Sequence, residues 1–320
     1  MQRVTTRHAW PRWIGLGALI LALAFFLPYL YRNAVLLGDV PWSGRAMRGF
    51  GLVVLLYATE LAISAVNWFL LLRVAGVGPR FGDTLFIFLT SQFAKYLPGN
   101  VAQHLGRIAL AKTYGYEVPR VLFSMVAETT LAIQGTMLFS LLALWLTGGP
   151  SVGLERLGGG PALAGLAAVT TVVALIATAW WKRKYQVVAT LRGPKLLLVS
   201  GVVCLNVVGL FVLGVGTMVL AVAIFGVSGR DVFFFGAVTA LSWLAGFLAP
   251  GAPAGLGVRE AVMIALLDPA IGARGALGVA LTFRAVSVIT DGLSFCLAGL
   301  LKARGWLSSP RAGGSQPGFQ

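Results

Sequence analysis

Two arginines hold matched places in this 320-residue chain. Arg107 follows Pro98-Gly99 after seven intervening residues, and Arg259 follows Pro250-Gly251 after the same seven. A single offset of 152 residues maps one group onto the other. Pro removes a backbone donor and Gly weakens a helix, so each pair marks a break. A helix that resumes just past the break presents unpaired N–H groups and the positive end of its dipole. Such an end receives an anion. A guanidinium about two turns further on adds a planar fork suited to phosphate or carboxylate. Lys95, Gln103 and His104 supply further donors around the first break, while Pro253 and Glu260 stand beside the second. Two opposed positive cradles of this kind fit a lipid phosphate or another anionic headgroup. The competing reading is that the arginines only snorkel to an interface.

Four further charges sit inside apolar runs: Glu60, Glu128, Arg284 and Asp291. A charge at the centre of a bilayer costs about 2.5–3.5 kcal/mol on insertion scales, which directs such residues to a bundle interior. Arg284 and Asp291 are seven apart and share a helical face, as do Glu60 and Asn67. The expectation is that Arg284 and Asp291 pair with each other or with Glu128. Whether these charges hold the bundle together or line a water path stays open at this stage.

The elements that must position these residues are membrane helices. Hydrophobic residues make up 58% of the chain and charged residues only 11%, against about 25% charged in a soluble domain. Several apolar runs exceed the roughly 18 residues that a spanning helix needs. The fold class read from this is all-α, a polytopic membrane bundle of about six full spans with two re-entrant, Pro-Gly-broken hairpins in an inverted repeat. The spans are placed at 14–31, 50–72, 121–146, 161–181, 196–225 and 276–301, and the hairpins at 84–113 and 231–267. The fifth span is long enough to be one tilted helix or a kinked one. As one membrane domain, the chain divides into an N-terminal span and loop (1–49), a first repeat (50–147), a connecting span and basic loop (148–195), a second repeat (196–303) and a disordered tail (304–320). Gly76-Val77 and Gly226-Val227, each upstream of an aromatic run at 86–88 and 233–235, strengthen the duplication.

A net charge of +15 raises the question of nucleic acid. The basic residues are scattered through short loops, however, so the positive-inside rule accounts for them and nucleic acid is not an expected partner. With six spans and two hairpins, segments on the N-terminal side hold 17 Lys and Arg, against 7 on the other. Both termini are therefore expected in the cytoplasm, in the inner (plasma) membrane, and the two hairpins enter from opposite faces. Inverted repeats whose broken helices meet near the midplane are a transporter plan.

Other chemistries lack their motifs. There is no GxxxxGK[ST] and no GxSxG, and no acidic pair stands three or four residues apart. Two distant histidines and two cysteines, Cys204 and Cys296, read as buried in apolar spans, point to neither a metal nor a disulfide framework. No cofactor is expected.

KYLPGNVAQHLGR (95–107) and PGAPAGLGVREA (250–261) resemble the two signature regions of the lysylphosphatidylglycerol synthase transmembrane-region family. The resemblance covers about 45–303. It implies a flippase-like membrane domain and carries Arg107, Arg259 and Glu260 over as substrate-binding positions. Two-part members join such a domain to a soluble synthase domain that makes an aminoacylated lipid. None is read in this chain, so the resemblance implies a lipid-handling role without aminoacyl transfer, membrane lipids as partners, and a separate lipid-synthesising enzyme upstream. The leading expectation is a flippase or transporter of an anionic or polyprenyl-linked lipid. Two rivals remain: a membrane-embedded transferase or hydrolase with Glu260 or Glu128 as base, and a proton-coupled small-anion transporter using Glu60, Glu128 and Asp291.

Overall fold

The computed structural model describes residues 42–96, 102–147, 193–228, 231–249 and 252–305. Among them the chain is wholly helical. The elements are α1 (Gly44–Val74), α2 (Phe81–Gln92), α3 (Ala102–Thr113), α4 (Val118–Leu146), α5 (Pro194–Phe225), α6 (Val232–Leu248) and α7 (Val258–Ala303). Short 3-10 turns at Phe93–Tyr96 and Pro253–Gly255 follow α2 and α6. The expected first and fourth spans, the basic cluster at 182–184 and most of the tail lie outside the described residues, as do Pro98, Gly99, Pro250 and Gly251. The other four expected spans fall on α1, α4, α5 and the later part of α7.

Local chemistry explains where the helices start and stop. Ser43 caps α1 by accepting the Ala46 N–H at 3.2 Å, and Asp231 caps α6 by accepting the Phe233 N–H at 3.1 Å. Proline stands in the first turn of α4 and of α5, where its missing N–H leaves nothing unsatisfied. The fifth expected span is one unbroken helix of 32 residues. At 1.5 Å per residue that is about 48 Å, enough to cross a 30 Å hydrocarbon core once with tilt. The expected loop between the second hairpin and the last span is helical instead. The only interruption is a kink at Gly272, whose φ of 76° and ψ of 156° depart from the helix three residues after Pro269. Among the described residues four helices, α1, α4, α5 and α7, are long and apolar enough to cross a membrane. By contrast, α2 and α3 have 12 residues each, about 18 Å, and cannot.

The helices pack around two apolar cores. One gathers Trp68, Leu72, Ile87 and Phe88 from α1 and α2 with Val121 and Met125 of α4. The other gathers Phe235, Val238, Leu266, Leu267 and Val279 from α6 and α7. The aromatic runs matched in the sequence thus each enter a different core. The two long helices α1 and α5 share the largest interface. At the α5–α6 crossing Gly214 stands so close to Gly236 that a Cβ would lie 2.6 Å from its Cα, the small-residue contact of membrane helices. Large apolar side chains face outward in rows, Leu138, Leu142 and Trp145 on α4 and Ile289, Leu293, Leu297 and Leu300 on α7. Cys204 and Cys296 are also exposed, not buried as the sequence reading had it. In lipid a thiol on the outer face meets an apolar medium, so hydrophobic surroundings do not imply burial in protein.

Candidate functional site

The turns that end the first arm of each hairpin meet: Phe93–Tyr96 contacts Pro253–Gly255 directly. Tyr96 and Ala254 pack there with Val288 of α7. Beside this junction lies a cavity of about 190 Å³, lined by residues of both hairpins and of α1, α4 and α5. That is room for on the order of ten waters. Arg107, Arg259, Lys95, Gln103, His104, Glu60 and Glu128 all line it, with Ser64, Asn67 and Asn206. The structure therefore brings the two arginines to one cavity but gives them different surroundings.

Arg107, on α3, is 3% exposed. Its Nη1 donates to Glu128 Oε2 at 2.5 Å, and its guanidinium lies 4.9 Å from the Trp68 ring and 4.5 Å from the Phe88 ring. A carboxylate and two aromatic faces lie against this charge, although its Nε is buried without a hydrogen-bond partner among the described residues. Arg259 begins the second arm. Its stem is held between two glycines: a Cβ on Gly246 would fall 2.2 Å from Arg259 Cγ, and one on Gly255 would fall 2.8 Å from Nε. Gly255 also has φ of 69°, which a side chain would oppose. Among the described residues the Arg259 guanidinium has no carboxylate within ion-pair distance and no hydrogen bond, and its Nε, like that of Arg107, is buried without a partner.

The remaining charges pair between hairpin and core helix, not as the sequence predicted. Asp291 is fully buried and receives Lys95 Nζ at 2.7 Å and the Tyr96 hydroxyl at 2.6 Å on the same oxygen. Arg284 donates from Nη1 to the Ala254 carbonyl at 3.3 Å, and its Nε lies 3.4 Å from Glu260 Oε1. Glu128 is taken by Arg107. The expected Arg284–Asp291 pair does not form. Seven residues separate the two by about 10 Å along the axis, and the hairpin turns offer partners at closer range. Glu260 also differs from its expected role. Its Oε2 accepts the Gly257 N–H at 2.7 Å, the half of a capping box that Glu260 can make, since Gly257 has no side chain to return the bond. The chain's own carboxylate thus occupies part of the anion-receiving helix end that the sequence assigned to substrate. The matching first-hairpin helix end, near Asn100, lies outside the described residues.

The other donors are present but modest. Gln103 Nε2 and His104 Nε2 stand 3.3 Å apart on α3. Glu60 accepts from Ser64 at 2.7 Å. Pro253 opens the second turn. Among the described residues no group of three metal-ligating side chains occurs.

The profile of lysylphosphatidylglycerol synthase TM regions matches residues 9–294. The chain belongs to that family. It is a membrane protein on this ground as well as on its helices. A comparison with curated proteins finds no match. Membership agrees with the two hairpin segments that resemble the family's signatures.

Sequence reasoning missed several residues of the site. Asn206, whose Oδ1 accepts from Asn67 Nδ2 at 2.9 Å, is the one Asn in the apolar run of α5 and was legible on that ground. Tyr57 lies three residues before Glu60 on the same helix face, and Tyr96 directly precedes the first break region.

Proposed function

We propose that this protein binds an anionic or polyprenyl-linked membrane lipid by its headgroup in the 190 Å³ cavity and carries that headgroup between leaflets. The carrying observation is Arg259, a guanidinium pinned at its stem by two glycines and, among the described residues, without an ion-pair partner beside the cavity. An unpaired interior charge marks a substrate or ion path more readily than a structural pair does. The cavity is smaller than the roughly 300–1,000 Å³ of whole-ligand pockets, so it takes a headgroup while the tails stay in lipid. The proposal carries with it six spans in an inverted repeat, both termini in the cytoplasm of the plasma membrane, carriage without catalysis, and a separate enzyme that supplies the lipid.

The test is movement of fluorescent lipids across proteoliposome bilayers, read as dithionite protection, together with mass spectrometry of the copurifying lipid. Arg259→Ala should abolish movement and Arg259→Lys should restore it only in part, since lysine keeps the charge but lacks the fork. No lipid movement and no copurifying anionic lipid would overturn the reading, as would product formation from lipid by the purified protein alone. Glu60 favours one second reading: it faces the same cavity with Ser64 as its only hydrogen-bond partner among the described residues. A proton-coupled small-anion transporter would use it, and pH-gradient-driven anion uptake in lipid-matched vesicles separates the two.

A further inference from the structure

A second, smaller cavity of about 40 Å³ lies beyond Arg259, among α1, α5, α6 and α7. Four residues line both cavities: Tyr57, Leu213, Trp243 and Arg259. They form a wall between two chambers. The far chamber is mainly apolar, with Thr239, Ser242, Ser287, Glu260 and Arg284 supplying the polar part of its surface. It has room for about three waters, and the Arg284 guanidinium, whose Nε and Nη2 are buried without a hydrogen-bond partner among the described residues, offers them donors. In the wall, Tyr57 makes an edge contact with Phe283 through its ring, while its hydroxyl has no hydrogen-bond partner among the described residues. Leu213 and Trp243 contribute apolar bulk. The polar part of the wall is therefore two unused donor groups, one guanidinium and one phenol.

We propose that Arg259 and Tyr57 form an anion-binding septum between two hydrated chambers in series, so that a headgroup phosphate held in the larger chamber is contacted by both donors and the polar path continues behind them. This deepens the reading of the headgroup cavity and rests on it for the ligand. The septum itself does not depend on any ligand. The stem of Arg259 is fixed between Gly246 and Gly255, so opening the septum requires the guanidinium end, not the backbone, to move. Removing the side chain should join the chambers.

The test is thiol accessibility in the full-length protein lacking Cys204 and Cys296. Ser287→Cys and, separately, Ser242→Cys place a near-isosteric thiol in the far chamber. Asn206→Cys places one in the near chamber. Each is reacted with a small charged methanethiosulfonate, and the rate is followed by intact-protein mass. The expected result is slow reaction at both far positions in the parent. Arg259→Ala should raise the far-to-near rate ratio by about tenfold or more, the equivalent of about 1.4 kcal/mol of barrier. Using the ratio removes the uniform effect of deleting one positive charge. An unchanged ratio at both far positions overturns the septum, even if lipid movement is intact. A second arm measures binding of an anionic phospholipid in detergent. Tyr57→Phe should weaken binding in the parent and add nothing in Arg259→Ala, whereas equal losses in the two backgrounds overturn the shared clamp. Free inorganic phosphate, tested as competitor, tells a headgroup site from a general phosphate site. Failure of all lipid binding with an altered labelling ratio would reject the functional reading and leave the septum standing.

Discussion

The sharpest energetic prediction concerns the Lys95–Asp291 contact that ties the first hairpin to α7. The two partners are not equivalent. Asp291 is 0% exposed, and its Oδ1 has no hydrogen-bond partner, whereas Lys95 keeps 14% of its side chain exposed at the cavity. Lys95→Met therefore strands a fully buried carboxylate that retains only the Tyr96 hydroxyl. Loss of one partner from a buried pair costs about 3–5 kcal/mol. Asp291→Asn leaves the lysine beside the cavity, and the amide oxygen can still accept from Tyr96. What is lost is one charge-assisted bond, about 1.5–3 kcal/mol. The double variant leaves neither charge, so its loss should be smaller than the sum of the singles by about 2–3 kcal/mol, as for directly contacting groups. The assay is reversible unfolding by SDS in mixed micelles, followed by tryptophan fluorescence for the parent and three variants. A Lys95→Met protein as stable as the parent, or strictly additive losses, would refute the reasoning.

Three other outcomes are expected. Arg107→Ala removes the partner of Glu128 and two cation–π contacts and should lower stability by about 1–3 kcal/mol, whereas Arg259→Ala should melt like the parent while losing lipid movement. Equal melting curves for the two would show that they are not differently employed. Gly246→Ala puts a methyl 2.2 Å from Arg259 Cγ, so it should displace the arginine and lose transport at a stability cost of about 1–3 kcal/mol; normal lipid movement in this variant would contradict the pinned stem. A cysteine at Ser309 in a protein lacking Cys204 and Cys296 should react with impermeant maleimide only after cell lysis, and labelling of intact cells would reject cytoplasmic termini.

Much of the fold was legible because membrane helices announce themselves by length. The runs at 50–72, 121–146 and 196–225 each became a helix with nearby ends, and the features that start them, the Ser43 cap and the prolines of α4 and α5, are short-range signals, as is the Asp231 cap of α6. The join between the second hairpin and the last span was not legible. Pro269 and Gly272 read as a loop, yet a helix can pass through both when its neighbours are helix formers and only one residue leaves helical geometry. The pairing of the interior charges was not legible either. Period 3.6 fixes which residues share a face, but not which helix that face meets. Asp291 found Lys95, 196 positions away, because two hairpin tips converge on α7.

The unequal surroundings of the two arginines have a counterpart in the sequence, one step beyond where the spacing was followed. The offset of 152 that relates Arg107 to Arg259 can also be applied to the residues that contact Arg107. Arg107 is contacted by Glu128, Trp68 and Phe88. The same offset carries those three positions to Ala280, Leu220 and Ala240, none of which can accept a hydrogen bond from a guanidinium or present it a π face. All three are buried apolar residues. Whatever copies the backbone pattern has not copied the counter-charge. One arginine is thus built as a strut, with its charge spent inside the protein. The other has its stem clamped between two glycines and, among the described residues, no ion-pair partner for its head. Replacing Ala280 with Glu would place a carboxylate at the second of these positions, on the wall of the smaller cavity. If the asymmetry is what makes Arg259 a binding group, Ala280→Glu should pair with it and suppress lipid movement without removing either arginine. An Ala280→Gln protein, equal in size but uncharged, should keep more of that movement.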